Sequence, residues 1–247
     1  MVAAALSIFA LCGALVPARP AASGAVRARG VFAPRMAAGA AGVQQIDGVR
    51  VGPPPDLPSL LLNNRIVYVG APLVPSVTEL VVAQLLFLNY ETREKPVYMY
   101  INSVGSAGVA FETEAFAIAD TMNYVGPEIE TICIGTAFGT AAMLLANGVK
   151  GKRACLPNAS IMLSQPRSQA RGQASDIKIK ATEVLKARNA INELLAEKTG
   201  QPLEKITADS MRTKYLEPDQ AVSYGLIDKV LRSENDLPQK PTFLGQL

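Results

Sequence analysis

Ile129-Glu-Thr-Ile-Cys-Ile-Gly-Thr-Ala-Phe-Gly-Thr-Ala-Ala-Met-Leu-Leu-Ala-Asn-Gly148 carries two kinds of regular structure in one short run. Residues 129–134 are apolar and rich in β-branched side chains, which suits a buried strand. Gly135 is expected to end that strand. Thr140-Ala-Ala-Met-Leu-Leu-Ala146 then suits a short buried helix, with Asn147-Gly148 as its stop. A strand that turns through small residues into a helix aims the first helical amides at one point. Hydrolases hold a nucleophile at such turns, because the free N–H groups and the helix dipole stabilise an oxyanion there. Here the decisive turn position is Gly139, which has no side chain to attack with.

The rest of the composition narrows the chemistry further. The chain has 247 residues and no histidine. That absence removes Ser-His-Asp and Cys-His catalysis and any His-bearing zinc site. Apolar residues make up 49%, so a packed domain is expected rather than disorder. The net charge is only +3, Lys and Arg are spread rather than clustered, and Trp is absent, which argues against a nucleic-acid surface. Cys12, Cys133 and Cys155 show no metal-type spacing, and Cys133 and Cys155 sit in apolar runs as buried free thiols. No phosphate loop, metal cluster or spanning helix is visible, so no cofactor, metal or membrane is expected.

Working outward, residues 1–45 differ from everything after them. They are rich in Ala, Gly and Val, carry Arg19, Arg27, Arg29 and Arg35, and precede the first acidic residue, Asp47. This is the composition of a removable leader. An apolar core within residues 2–16 has the length of a signal-peptide h-region. With the acid-free stretch that follows, it fits a two-part leader to a plastid; a plain transit peptide is the simpler alternative. Residues 46–58, with Gly52-Pro-Pro-Pro-Asp-Leu-Pro58, read as an extended linker. The domain follows over 59–232, with a loose tail over 233–247.

Within that domain strands and helices alternate. Arg65-Ile-Val-Tyr-Val69 and Pro96-Val-Tyr-Met-Tyr-Ile101 read as strands, the second with Tyr98 and Tyr100 on one face. Helices are expected over 77–89, with Ser76 and Glu79 as a capping box, and over 111–123. Lys150-Gly-Lys-Arg153 reads as an exposed turn, residues 154–156 and 160–163 as short strands, and 167–175 as a polar extended segment. Asp176 opens a long helix to Thr199, capped by Gly200, whose apolar stripe (Ile177, Ile179, Val184, Leu185, Ile191, Leu194, Leu195) calls for a covering surface. Short helices from Pro202 and Pro218 and a strand within 225–231 complete an α/β pattern with a mostly parallel sheet.

Taken together, these blocks resemble the Clp protease proteolytic-subunit family, from about Leu57 to Leu231. Val81-Val-Ala-Gln-Leu-Leu-Phe-Leu88, Tyr98-Met-Tyr-Ile-Asn-Ser103, Gly148-Val-Lys-Gly-Lys-Arg-Ala-Cys-Leu-Pro-Asn158, Gly172-Gln-Ala-Ser-Asp-Ile177, Asn192-Glu-Leu-Leu195 and Ala221-Val-Ser-Tyr-Gly-Leu-Ile-Asp228 carry the likeness in order. The resemblance implies a ClpP/crotonase-type fold of repeated strand–helix units with a protruding handle helix. It also shows where this chain departs. The family's nucleophilic Ser falls on Gly139, its general-base His on Ser164 of Ile161-Met-Leu-Ser-Gln-Pro166, and its Asp on Thr213 of Arg212-Thr-Lys-Tyr-Leu216. The family's Asn-Ser-Pro-Gly-Gly oxyanion loop reads Asn102-Ser-Val-Gly-Ser106, with one glycine lost and extra residues before the next helix. General-base catalysis is worth roughly 10² to 10⁴ in rate, and loss of a triad costs on the order of 10⁶ in kcat.

That pattern is similar to the ClpR class, the non-catalytic paralogues of plastids and cyanobacteria. It implies a place in heptameric rings beside ClpP-type catalytic subunits and other ClpR-type subunits. Two rings would form a tetradecameric core, fed with unfolded proteins by a Clp ATPase chaperone in the plastid stroma. By the same resemblance a chaperone-docking pocket falls on Leu86, Tyr98, Tyr100, Ile132 and Leu156. Ring–ring contacts fall on Arg171, Gly172, Gln173 and Asp176 at the long helix, and on Arg212. Two other readings stay open. One is an active peptidase using Ser164 or Thr140, with Lys150 or Lys152 as base. The other is a crotonase-like acyl-CoA enzyme, which would need paired carboxylates; Glu112 and Glu114 lie nearby but read as solvated residues at a helix start.

Overall fold

The computed structural model describes residues 44–46, 49–51, 56–106, 112–233 and 236. The expected leader lies outside them but for its last two positions, and most of the expected tail lies outside them as well. The expected linker is not extended throughout. Strands β1 (Gln44–Ile46) and β2 (Val49–Val51) pair antiparallel as a small hairpin within the unit 1–53. In the second unit, residues 54–247, the helix α1 (Leu57–Asn63) already includes Leu57 and Pro58. Pro58 sits in its first turn, where no amide is needed.

The sheet of the second unit is built from β3 (Ile66–Val69), β4 (Val97–Ser103), β5 (Ile129–Phe138), β6 (Arg153–Cys155) and β9 (Lys229–Val230), in the order β3-β4-β5-β6-β9 and all parallel. β7 (Ser160–Leu163) pairs parallel with the far end of β5, and β8 (Lys214–Leu216) adds an antiparallel edge to β7. The helices are α2 (Pro75–Glu91), α3 (Glu112–Tyr124), α4 (Thr140–Ala146), α5 (Ala174–Thr199), α6 (Leu203–Ser210) and α7 (Pro218–Tyr224). The result is a mixed α/β fold with a mostly parallel sheet, as expected.

The two faces of β4 explain the core. Val97, Met99 and Ile101 point into the main core, together with Leu85 and Leu88 of α2 and Ile118 of α3. Tyr98 and Tyr100 point to the other face and join Ile66, Ile132, Ala154, Leu156 and Leu231 in a smaller cluster. Period-two alternation therefore sorts one strand between two apolar layers. α4 has all seven residues buried, and Met143, Leu144 and Leu145 are completely enclosed. Each of those side chains contributes about 1.5–3 kcal/mol of transfer free energy, so the turn before α4 is held by a firmly anchored helix.

Four local expectations are corrected. β5 does not stop at Gly135 but runs to Phe138, because β7 pairs with Thr136–Phe138 after β6 has left the strand. Asn102 also supports that extension: its Oδ1 accepts from the Thr136 amide at 3.1 Å and lies against the Thr136 hydroxyl at 3.2 Å. The Ser76 capping box does not form; Val74 is the N-cap and Pro75 enters the first turn, and a capping box occurs instead at Glu217 and Gln220 of α7. α5 begins at Ala174, two residues before Asp176, so Ala174 and Ser175 are helical rather than extended. Arg153 is not part of an exposed turn. It is buried and forks onto Asp228, with Nη2 at 2.7 Å and Nε at 2.9 Å, while Nη1 donates to the Lys198 carbonyl at 3.1 Å.

α1 and β8 are elements that apolar periodicity did not reveal. Arg65 is a further surprise. Its backbone is left-handed at φ 59°, and its guanidinium donates to the carbonyls of Leu88, Thr92, Lys95 and Pro96. A cation is favoured there because the Leu88 and Thr92 carbonyls lie at the negative, C-terminal end of α2, and those of Lys95 and Pro96 follow in the connection to β4.

Candidate functional site

The end of β5 turns into α4 at Gly139, whose φ of 54° and ψ of −111° lie outside the regions open to side-chain-bearing residues. The Gly139 amide is held by the Met162 carbonyl at 2.8 Å. A strained strand-to-helix turn of the kind at which hydrolases expose a nucleophile is thus present, with glycine at its apex. A Cβ placed on Gly139 would stand 3.1 Å from the Ser164 hydroxyl oxygen. Positions 139 and 164, 25 residues apart in the chain, meet because β7 lies beside the far half of β5.

Gly139, Ser164 and Thr213 line one cavity of about 640 Å³. Val104 and Ser106 come from the loop after β4, Met162 and Ser164 from the end of β7, and Ile191 from α5. Thr213 sits on an exposed rim with Tyr215, whose ring meets Phe138 edge-on with centroids 5.9 Å apart. The three positions read from the sequence as a vacated triad are therefore brought together at one site. They carry a hydrogen atom and two hydroxyls, none of which is a base at neutral pH.

Two amides of the loop after β4 are already taken. The Gly105 N–H donates to the Ser103 hydroxyl at 3.1 Å, and that hydroxyl donates to the Ala71 carbonyl at 2.8 Å. The Ser106 N–H donates to the Thr140 hydroxyl at 2.9 Å, and the two hydroxyls are themselves 2.9 Å apart. An oxyanion hole works only if its donors are free and aimed at the developing charge. Thr140, one residue past the turn, fills that role with its own side chain. From the sequence Thr140 is a candidate nucleophile only; the serine at position 106, where the family pattern has glycine, is the signal of a changed loop.

Two alternative chemistries meet obstacles in the same geometry. Lys152 is held between Glu128 at 2.8 Å and Glu130 at 3.0 Å, and hydrogen bonds to these carboxylates push its pKa up, the wrong direction for a base. Lys150 lines a separate cavity, of about 490 Å³, with Asn147 and Glu197. Glu112 is not a solvated helix-start residue: it is 5% exposed and lines the larger cavity, while Glu114 does not line it. The paired carboxylates of an acyl-CoA enzyme are not assembled there.

The remaining sequence-derived positions lie elsewhere. Tyr98, Tyr100, Ile132 and Leu156 share the smaller apolar cluster, whereas Leu86 lies outside that cluster, 43% exposed on α2. Arg171, Gly172, Gln173 and Asp176 are exposed around the start of α5, with Gln173 as its N-cap, and Arg212 is exposed next to Thr213. Only the second half of α5 reaches the core, through Ile191, Asn192 and Leu195; Ile177, Ile179 and Leu185 remain in solvent. Cys133 and Cys155 are register partners on β5 and β6, both buried, and burial raises their thiols to about 12 and about 11. Among the described residues no cluster of His, Cys, Asp and Glu could hold a metal, and no helix is long and apolar enough to cross a membrane.

Comparison with known proteins identifies the family. Residues 55–234 match the Clp protease family. An ATP-dependent Clp protease proteolytic subunit-like protein of Synechococcus elongatus is 53% identical over 201 residues, covering 75% of this chain and 88% of that protein. ATP-dependent Clp protease proteolytic subunit 2 of Gloeobacter violaceus is 55% identical, over 72% of this chain and 81% of its own length. The chloroplastic ATP-dependent Clp protease proteolytic subunit-related protein 4 of Arabidopsis thaliana is 49% identical, over 74% of this chain and 61% of that protein. With the strained turn at Gly139, the parallel sheet behind it and this extent of likeness, the chain belongs to the Clp protease family.

Proposed function

We propose that this chain is a non-catalytic, ClpR-type subunit of an ATP-dependent Clp protease core. One observation carries the reading: the cavity in which Gly139, Ser164 and Thr213 converge offers hydroxyls with no imidazole to activate them, and the Gly105 and Ser106 amides of the loop after β4 are bonded internally. The chain shapes part of a degradation chamber whose cutting is done by ClpP-type partners. Heterologous side-by-side contacts close it into heptameric rings, and two rings make the core. The bare first half of α5, with Arg171, Gly172, Gln173 and Asp176, and Arg212 beside Thr213, forms the contact between rings. Tyr98, Tyr100, Ile132 and Leu156, with Leu86, are the surface offered to a Clp ATPase chaperone that delivers unfolded proteins. The leader directs the chain to the plastid stroma, a reading supported by the chloroplastic names of its plant relatives.

The test is labelling with a fluorophosphonate. In a purified complex that degrades a model substrate, the partner subunits take up the probe and this chain does not. The chain purified alone turns over no fluorogenic peptide. Probe on this chain, or turnover by it alone that Ser164→Ala or Thr140→Val abolishes, overturns the proposal.

A further inference from the structure

The loop after β4 is held from two sides. On the side of residues 71–73, the Ala71 carbonyl accepts the Ser103 hydroxyl at 2.8 Å, and the Leu73 N–H donates to the Gly105 carbonyl at 2.9 Å. On the side of α4 stands Thr140, whose hydroxyl oxygen accepts the Ser106 N–H at 2.9 Å. Gly105 lies hard against the same turn. At φ 82°, a Cβ on it would run into the Phe138 carbonyl oxygen and stand 2.9 Å from the Thr140 hydroxyl oxygen. Ser106, Gly139 and Thr140 line one cavity, so the engaged amide belongs to the wall beside the turn. Thr140 is buried and is the first residue of a helix enclosed along its whole length. Its β-branched side chain has few rotamers open to it there, so the acceptor is fixed in place.

We propose that Thr140 is a positioning residue that acts against acyl transfer, its hydroxyl keeping the Ser106 amide engaged and so unavailable to an oxyanion formed at position 139. The inference rests on the reading of this cavity as one that does not cut. It adds a second block, independent of the missing nucleophile, base and orienter: supplying those three groups alone leaves the amide engaged. Removing the Thr140 hydroxyl takes away this acceptor while the loop stays anchored through Ser103 and Gly105. One donor aimed at an oxyanion is worth about 10² to 10³ in rate, so committing it to a neutral hydroxyl is a large loss.

The experiment puts a nucleophile that ionises without a base at the turn. Gly139→Cys is made in the full chain with Thr140 kept, with Thr140→Val, or with Thr140→Ser. The introduced thiolate attacks the carbonyl of p-nitrophenyl acetate and the charge moves to the former carbonyl oxygen. Expulsion of p-nitrophenolate then leaves an acetyl thioester. With iodoacetamide the same thiolate displaces iodide, and no oxyanion forms. Mass spectrometry of the peptide containing position 139 reads both rates apart from Cys12, Cys133 and Cys155. Thr140→Val is expected to raise the ratio of acylation to alkylation about tenfold or more. Thr140→Ser keeps the hydroxyl and is expected to leave the ratio within about twofold. An unmoved ratio in Thr140→Val, or an equal rise in Thr140→Ser, overturns the inference. Because a side chain at φ 54° is strained, a second measurement keeps Gly139. Hydrogen exchange at the Ser106 amide is expected to quicken about tenfold in Thr140→Val and to keep the rate of the unaltered chain in Thr140→Ser. No change in Thr140→Val overturns the inference as well. Turnover of the ester by the unaltered chain that Ser164→Ala abolishes overturns the non-catalytic reading beneath, whereas a ratio indifferent to Thr140 overturns the inference alone.

Discussion

At Gly139 the backbone has the geometry of a nucleophile turn, and the residue carries no side chain. With φ at 54°, any side chain there is strained by about 1–3 kcal/mol, and the Ser164 hydroxyl stands 3.1 Å from where the Cβ would go. Gly139→Ser is therefore expected to lower stability by about 1–3 kcal/mol, seen as a drop in thermal midpoint, and to produce no peptide hydrolysis. A hydroxyl without a base is a weak nucleophile, and Ser164 and Thr213 supply neither base nor orienter. Turnover by the single variant would show that a base has been overlooked. Arg153 and Asp228 form the other residue-scale test. Burial works to raise the Asp228 carboxyl, but hydrogen bonds from the Arg153 side chain and amide and from the Gly151 amide outweigh it and hold the group below its ordinary value. Asp228→Asn leaves the Arg153 guanidinium, 4% exposed, without its counter-charge; a loss of about 3–5 kcal/mol in denaturant unfolding is expected.

Among elements, α5 and β5 behave in opposite ways. α5 is long enough to leave the body, and its first half carries Ile177, Ile179 and Leu185 in solvent. Ile179→Asp is expected to leave the thermal midpoint of the isolated chain within about a degree, since the residue is 70% exposed, and to abolish incorporation into a two-ring complex by native mass spectrometry. Normal incorporation would remove this helix from the ring–ring contact. β5 is enclosed on both faces along its first half. Its Cys133 and the facing Cys155 are buried with thiols raised to about 12 and about 11, so almost no thiolate forms near neutrality. Alkylation of these two thiols at about pH 8 is expected to proceed only as fast as the sheet opens, and to become rapid in denaturant. Immediate labelling in the native state would contradict the packing.

For the whole molecule, pH acts through paired carboxylates. Asp209 is held below its ordinary value by the Lys214 ammonium at 2.8 Å, with the Tyr224 hydroxyl donating at 2.9 Å, and Asp228 is lowered as described. A carboxylate with a lowered folded pKa adds stability that is complete above its unfolded value and disappears as pH falls through the folded one. The thermal midpoint is therefore expected to be flat near neutrality and to fall below about pH 4, with Asp228→Asn flattening that fall. An unchanged acid limb in the variant would assign the loss to other groups.

The chain's own order of residues settled a good deal of this. Missing imidazole, glycine at the turn and serine and threonine at the companion positions are statements of composition, and no folding can add a functional group. Period-two alternation around Tyr98 and Tyr100 and the all-apolar run of α4 are also legible locally, because burial on a known face needs only spacing. What spacing could not show depended on partners distant in the chain. β5 continues past Gly135 because β7 pairs with it; Arg153 is buried because Asp228 reaches it; the Ser106 amide is closed because Thr140 turns toward it. Hydrogen bonds and desolvation are properties of pairs in space, so the exact end of a strand, or the charge state and accessibility of one side chain, became definite only when tertiary structure brought the second member of each pair into contact.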